Sequence, residues 1–476
     1  MKKTLHELFR LAFRVTRLLR GHSFGPIRLP QFLVRCLMLD VGRSMFVFFV
    51  RPVFFFVLTL FSANAQPESF PRLSLQEARE TALRNHPLIS VADLKALAAH
   101  QVFRQVRSAY FPNLSANAVA VGTANENTRL AAIGALNNPT IFERQSEGLM
   151  ISQLITDFGR TANLTGSAKL QAEAAANSAK ATREQILLAV DEAFYSALQA
   201  QSVTRVAEQT ITNRQVFLDQ VTALASNKLR SDLDVSFAQV NLADARLLLS
   251  KAVNDLQASF ARLATLMGIR EEKRYDLVEM PLPPDVSSNV SSFVQDALEL
   301  RPDLVSLRNQ RDAALKFARG EKALSYPTIS AVGSAGVSPI HDPALRDNYA
   351  AAGLIMTMPL FAGGYYSAKR HEAEFQAQAD SESLRDLEDN IIRDVRIAWL
   401  NAQNAFDRYH ITAQLLENAR QSYDLAQARY KNGISSMVEF NQAELSLVSA
   451  EISLAETRFE YLVQRSALSF QTGTLH

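Results

Sequence analysis

Val235, Ala238, Leu242, Ala245, Leu249, Ala252 and Leu256 follow one another at alternating steps of three and four. That spacing keeps them on one stripe of an α-helix and offers a heptad seam to a neighbouring helix. Phe440, Ala443, Leu447, Ala450, Leu454, Thr457 and Tyr461 repeat the pattern. The second helix also carries Leu445, Val448, Ile452, Ala455, Phe459 and Leu462 on a different face. Two seams on one helix predict a neighbour on each side, as in a ring of helices with polar faces inside and out. A solid bundle with one broad buried face is the alternative. In the first helix Ser250, Asn254 and Gln257 interrupt the second stripe. Proline is absent between Pro139 and Pro281 and after Pro359, and glycines there are few. A helix over about 160–224 would be roughly 100 Å long at 1.5 Å per residue, too long for a compact domain.

Short segments of strand character lie between the helical stretches. Residues 114–122 and 329–337 are rich in small and β-branched residues, and 149–155 and 354–360 alternate apolar with other residues. Polar loops at about 124–145 and 339–348 join each pair into a hairpin. Four strands cannot close a barrel, and membrane barrels begin at eight, so strands in a bilayer would have to be pooled between chains.

The chain is written twice. Ala82 to Pro87 recurs as Ala297 to Pro302, and Phe111 to Ser115 as Tyr326 to Ser330, at an offset of 215. Beyond the hairpins the offset is 205, pairing Gly159 with Gly364 and Leu233 to Val235 with Val438 to Phe440. One large module is therefore duplicated and fused. The expected division is 66–280 for the first repeat (hairpin about 113–157, long helices about 160–268), 281–292 for a linker, and 293–476 for the second (hairpin about 328–361, long helices about 364–472). Residues 270–292, rich in Pro and Ser, read as a plain connector. Lys228 stands where the second repeat has Gly433, so the two helix turns should differ in backbone if Gly433 takes positive φ.

Residues 1–65 hold 10 of the 50 Lys and Arg but 2 of the 48 Asp and Glu, leaving the remainder with a net charge of −6. The overall positive balance thus gives no argument for nucleic-acid binding. The apolar run 52–61 followed by Ser62 to Ala65 reads as a signal peptide cut after Ala65. The Arg-rich stretch before it suggests a start site placed too early, with Met38 or Met45 as the true start; a functional extension is the alternative. The one cysteine, Cys36, lies in this leader, so the exported chain needs no disulfide. No run of about 18 apolar residues follows Ala65, which leaves a β-barrel as the means of spanning a membrane. Enzyme motifs, metal-ligand spacings and cofactor signatures are absent from the sequence, so no enzyme activity, metal or cofactor is expected.

These motifs, in order and over residues 73–475, resemble the TolC-like outer-membrane efflux proteins. The pieces are the repeat starts at Ala82 to Pro87 and Ala297 to Pro302, Gln153 to Arg160, Pro359 to Gly364, Tyr430 to Gly433, and Gly473 to Leu475. The resemblance implies a mainly α chain with a β-barrel part: a duplicated long-helix barrel in the periplasm, and four strands per chain in a homotrimer's 12-stranded outer-membrane barrel. It implies an exit duct for small molecules in a tripartite efflux pump, with a periplasmic adaptor, an inner-membrane pump and outer-membrane lipid as partners. A type I protein secretion channel is the alternative within the family, and a soluble periplasmic coiled-coil adaptor or scaffold the alternative outside it.

The resemblance also places function. Gly159, Gly363 and Gly364 would turn strand into helix. Asn227, Lys228, Leu229 and Arg230, with Lys431, Asn432, Gly433 and Ile434, would form the turns that meet the adaptor. Asp234 and Tyr430 match an acid and a tyrosine that hold the closed tip by hydrogen bonding. Glu439 takes the place of an acid in a selectivity ring, Gln442 replaces a second acid, and Ser435 stands where an arginine gate partner is found. From the residues themselves, Ser231 to Asp234 and Ser436 to Glu439 also fit a helix capping box, so a helix-capping role for both acids stays open.

Overall fold

A computed structural model describes residues 70–122, 144–271, 273–341 and 346–475, all within the unit Pro67–His476. The leader and most of the first hairpin loop lie outside the described residues.

Each repeat opens with a helix pair: α1 (Leu75–Asn85) and α2 (Pro87–Arg107) in the first, α5 (Val290–Leu300) and α6 (Pro302–Lys322) in the second. Ser74 and Glu77 close both halves of a capping box at α1. Pro87 and Pro302 sit at the first turns of α2 and α6, where a missing N–H costs nothing. The long helices are α3 (Arg160–Ser226) and α7 (Tyr365–Lys431), 67 residues each. They fold back as α4 (Asp232–Leu266) and α8 (Met437–Gln471), 35 residues each. The seams identified from spacing are the packing faces: Ala238, Leu242, Ala245 and Ala252 of α4 and Phe440, Ala443, Ala450 and Tyr461 of α8 are buried. α4 packs along α3, α8 along α7, and α8 also meets α3, so the doubly seamed helix has its two neighbours. None of the described helices is long and apolar enough to cross a membrane.

The widest core lies where α1, α3, α4 and α8 converge, around Val190, Phe194, Leu198, Leu263, Met267 and Leu462. Within it Asp191, 0 % exposed, accepts from Arg79 Nε at 2.7 Å and Nη2 at 2.5 Å. This fork-to-fork pair fixes α1 on α3.

The connector is not the plain linker expected from its composition. Its strand β4 (Asp276–Leu277) pairs in parallel with β1 (Arg72–Leu73). Glu279 meets Arg458 at 2.8 Å and Arg205 at 3.6 Å. Tyr461 Oη donates to the Pro284 carbonyl (2.7 Å) and Trp399 Nε1 to that of Ser287 (2.9 Å). Side chains on α3, α7 and α8 thus satisfy a segment whose prolines keep it from forming a helix of its own.

The remaining strands, β2 (Asn113–Val121), β3 (Arg144–Thr156), β5 (Thr328–Ile340) and β6 (Asn348–Thr357), form one antiparallel sheet in the order β2-β3-β5-β6. Its register sorts the side chains by face. Leu114, Ile151, Gly333 and Ala352 lie on one rung, and Ala116, Leu149, Ala335 and Ala350 on the next rung of the same face. The opposite face carries the rungs Ser115-Met150-Ser334-Ala351 and Asn113-Ser152-Val332-Gly353. One face is free of polar side chains on those rungs and the other is not, as for a sheet with lipid on one side and water on the other.

Candidate functional site: the helix turns and the strand-helix junctions

The turns after α3 and α7 have the same backbone. Asn227 and Asn432 end the helices, and each amide Nδ2 donates 2.8 Å to the carbonyl four residues before it, Ala223 or Ala428. Lys228 (φ +59°) and Gly433 (φ +72°) are both left-handed. Leu229 N–H bonds the Leu224 carbonyl and Ile434 N–H that of Arg429, both at 2.9 Å, which is a Schellman closure. The expected difference between the turns is therefore not found. Lys228 adopts the strained region instead, at a cost of about 1 kcal/mol relative to glycine.

After each turn a serine caps the next helix: Ser231 Oγ accepts from Asp234 N–H and Ser436 Oγ from Glu439 N–H, both at 3.3 Å. The second half of the capping box does not form at either place. Glu439 instead pairs with Arg429 Nε across the hairpin at 3.1 Å. Asp234 lies half-buried near Tyr430. Burial raises the Tyr430 phenol above its ordinary value, Arg230 opposes this, and Asp234 adds to it.

Tyr430, 3 % exposed, packs with Ala238, Met437 and Phe440 and against Phe217. Its hydroxyl has no hydrogen-bond partner, so the Asp234 bond implied by the resemblance is not made. What holds this residue is Arg230: Nη2 donates to the Tyr430 carbonyl at 2.7 Å, and Cζ lies 4.2 Å from the ring centre. The contact ties the turn of one repeat to the helix end of the other. Ser435 Oγ is also buried and unpaired, while Gln442, Lys431 and Asn432 are exposed.

Further from the turns, Arg214 of α3 and Glu444 of α8 form a buried pair, Nε to Oε1 3.4 Å. Arg214 Nη1 also donates to the Asn241 carbonyl at 2.6 Å, and Asn241 Nδ2 to Asn441 Oδ1 at 2.9 Å. Burial raises the Glu444 carboxyl, with Arg214 opposing. Sequence reasoning missed this group, and its one available signal was a charge lying beside the Phe440-Ala443-Leu447 seam.

The strand-helix junctions also match between repeats. Phe158 (φ +54°) and Gly159 (φ +92°) correspond to Gly363 (φ +58°) and Gly364 (φ +85°). Asp157 Oδ2 accepts from Thr161 N–H at 2.7 Å in the first repeat, and the Phe158 ring packs edge-on against Tyr326. These supports hold a non-glycine residue in the left-handed conformation.

The family described as Outer membrane efflux protein matches residues 78–269 and 293–474. Among curated relatives, Outer membrane protein TolC of Escherichia coli (strain K12) is 22 % identical over 446 residues, covering 88 % of this chain and 85 % of that protein. Alkaline protease secretion protein AprF of Pseudomonas aeruginosa is 23 % identical over 418 residues, covering 85 % of each. The solved outer membrane protein VceC of Vibrio cholerae superposes with a TM-score of 0.70 at 19 % identity, over 84 % of this chain and 96 % of that one. The match takes in both repeats nearly end to end, which sets aside the soluble scaffold. The chain belongs to the outer membrane efflux protein family, and it is a duct of the Gram-negative outer membrane, not an enzyme.

Proposed function

We propose that the chain is the exit duct for small molecules in a tripartite efflux pump, a homotrimer closed at its helix turns and opened there by a periplasmic adaptor and an inner-membrane pump. The observation that carries the trimer is an unequal partner count in equivalent elements. α2 and α6 occupy the same place in the two repeats and are 21 residues each. α6 lies against both α3 and α7 and buries Leu304, Ser306, Ala313 and Gly320. α2 lies against α3, buries Ile89 alone, and exposes Leu94 and Leu97. By repeat symmetry its missing neighbour is α7 of a second copy.

The same vacancy recurs along the molecule. α8 has α7 and α3 beside it, whereas α4 exposes Leu233, Val240 and Leu247. β2 and β6 are the open edges of the four-stranded sheet. Joining β6 of one copy to β2 of the next satisfies both edges, and three copies give 12 strands, an even number within the range of membrane barrels.

The turns 227–230 and 431–434 then form the periplasmic end, with Arg230, Asp234, Tyr430, Ser435, Glu439 and Gln442 at or near the closure. A photo-crosslinking residue at Lys228 or Asn432 in living cells tests the assignment. Capture of a drug pump's adaptor supports efflux. Capture of an ATP-driven protein exporter's adaptor points to type I secretion, the activity in the name of AprF. Capture of no adaptor during export refutes the tip assignment.

A further inference from the structure

The outermost complete rung on the polar face of the sheet is Asn117-Gly148-Gly336-Tyr349. It lies at the end of the sheet away from the helices, since β2 and β5 leave the helical part and β3 and β6 return to it. Gly148 and Gly336 are direct partners across β3 and β5. A Cβ on Gly336 would stand 2.6 Å from Tyr349 Oη, and one on Gly148 would stand closer still. The phenol of β6 therefore crosses β5 and reaches β3, lying along the sheet instead of standing out from it. Two glycines in register make the trough that receives it, the strand counterpart of an aromatic covering a glycine. Tyr349 remains 41 % exposed. One β-bulge, between Gln145 and Glu147, sits beside the pair, and Ser338 Oγ donates to the Gln145 carbonyl at 3.0 Å.

Tyrosine is the largest side chain on this face, and it stands at the rim. We propose that Tyr349 sets the bore of the duct at its outer mouth. Lying in the Gly148–Gly336 trough it leaves the passage wide; a side chain at Gly148, whose Cβ would meet Tyr349 Oη before any other atom, raises the ring into the lumen, once per copy. The inference rests on reading the four strands as the wall of a duct. It concerns a size limit separate from the helix turns at the other end.

The test uses the full chain with Cys36 replaced by Ser and one reporter, Ser330→Cys. Ser330 shares the parity of Gly336 and lies six residues deeper in β5, about 20 Å at 3.3 Å per residue. Maleimide-polyethylene glycols of graded mass are added outside intact cells, and the largest that labels the reporter is recorded. The cut-off should fall by at least one step of the series with Gly148→Ala and return when Tyr349→Ala is added. An added Cβ at Gly148 also meets the Ala335 carbonyl oxygen at 2.7 Å, so Tyr349→Trp, which leaves the strand backbone alone, serves as a second narrowing variant. An unchanged cut-off in both narrowing variants overturns the proposal, as does a fall that Tyr349→Ala does not reverse. It is also overturned if the smallest reagent labels Leu354→Cys on the apolar face and not Ser330→Cys, or if no reagent reaches either in a chain seated in the outer membrane. A chain recovered in the soluble periplasm would instead sink the duct reading itself.

Discussion

Arg230 and Tyr430 belong to different repeats, yet the guanidinium covers the tyrosine ring at 4.2 Å and donates to its carbonyl at 2.7 Å. A cation over a ring that is 3 % exposed is worth about 1–2 kcal/mol. The phenol oxygen contributes no hydrogen bond. On the proposed gate, Arg230→Ala should raise the resting single-channel conductance severalfold, because that contact joins the ends of the two helical hairpins. Tyr430→Phe should leave it unchanged. Opening by Tyr430→Phe would restore the hydroxyl latch that the resemblance implied.

Glu439 carries two separable roles. Its N–H is capped by Ser436, and its carboxylate pairs with Arg429 while about half exposed. Glu439→Gln keeps the cap, and loss of an exposed pair costs about 0–1 kcal/mol, so thermal stability should hold. If three carboxylates surround the closed tip, the same substitution should lower cation preference in single-channel recordings. Unchanged preference would leave the residue a pairing and capping group.

Lys228 is left-handed at φ +59° with its side chain exposed, in a turn whose partner uses Gly433. Lys228→Gly removes the Cβ strain but adds freedom to the unfolded chain. The balance should be a stabilisation of up to about 1 kcal/mol, read as a higher thermal midpoint. Gly433→Ala should move the midpoint the other way.

Glu184 on α3 is pushed up to about 7, chiefly by burial and then by the Asp303 charge, with Arg301 opposing. A carboxyl raised on folding binds its proton more tightly in the folded state, so stability is fullest below the unfolded value near 4.5 and falls as pH rises through about 7. The thermal midpoint should therefore drop across that window, and Glu184→Gln should flatten the drop. A wild-type slope retained in the variant would assign it to another group.

The tip turns show how far local sequence reached. Asn227, Lys228, Asn432 and Gly433 were placed at turns by the resemblance to the family, and the serine caps by their spacing to Asp234 and Glu439. The expectation that Lys228 would bend its turn differently was wrong, because the Schellman bonds from Lys228 N–H to the Ala225 carbonyl and from Leu229 N–H to the Leu224 carbonyl fix the backbone and a lysine bears the strain. Local preference was about 1 kcal/mol against several hydrogen bonds.

Heptad seams, strand alternation, the 215 and 205 offsets and the absence of an apolar helix were all present in the sequence, because each is a periodicity along one chain. They determined the elements and the duplication, and the short motifs that recur in order through both repeats carried the resemblance to the family. Tertiary structure decided what no periodicity encodes: that Arg230 reaches Tyr430, that Arg214 finds Glu444, that the connector is strapped to Trp399 and Tyr461, and that β3 joins β5 across the repeats. Those contacts link residues about 110 to 230 positions apart. Their partners are selected by how helices and strands pack in space, where the energy of a buried pair depends on which groups surround it and not on its neighbours in sequence.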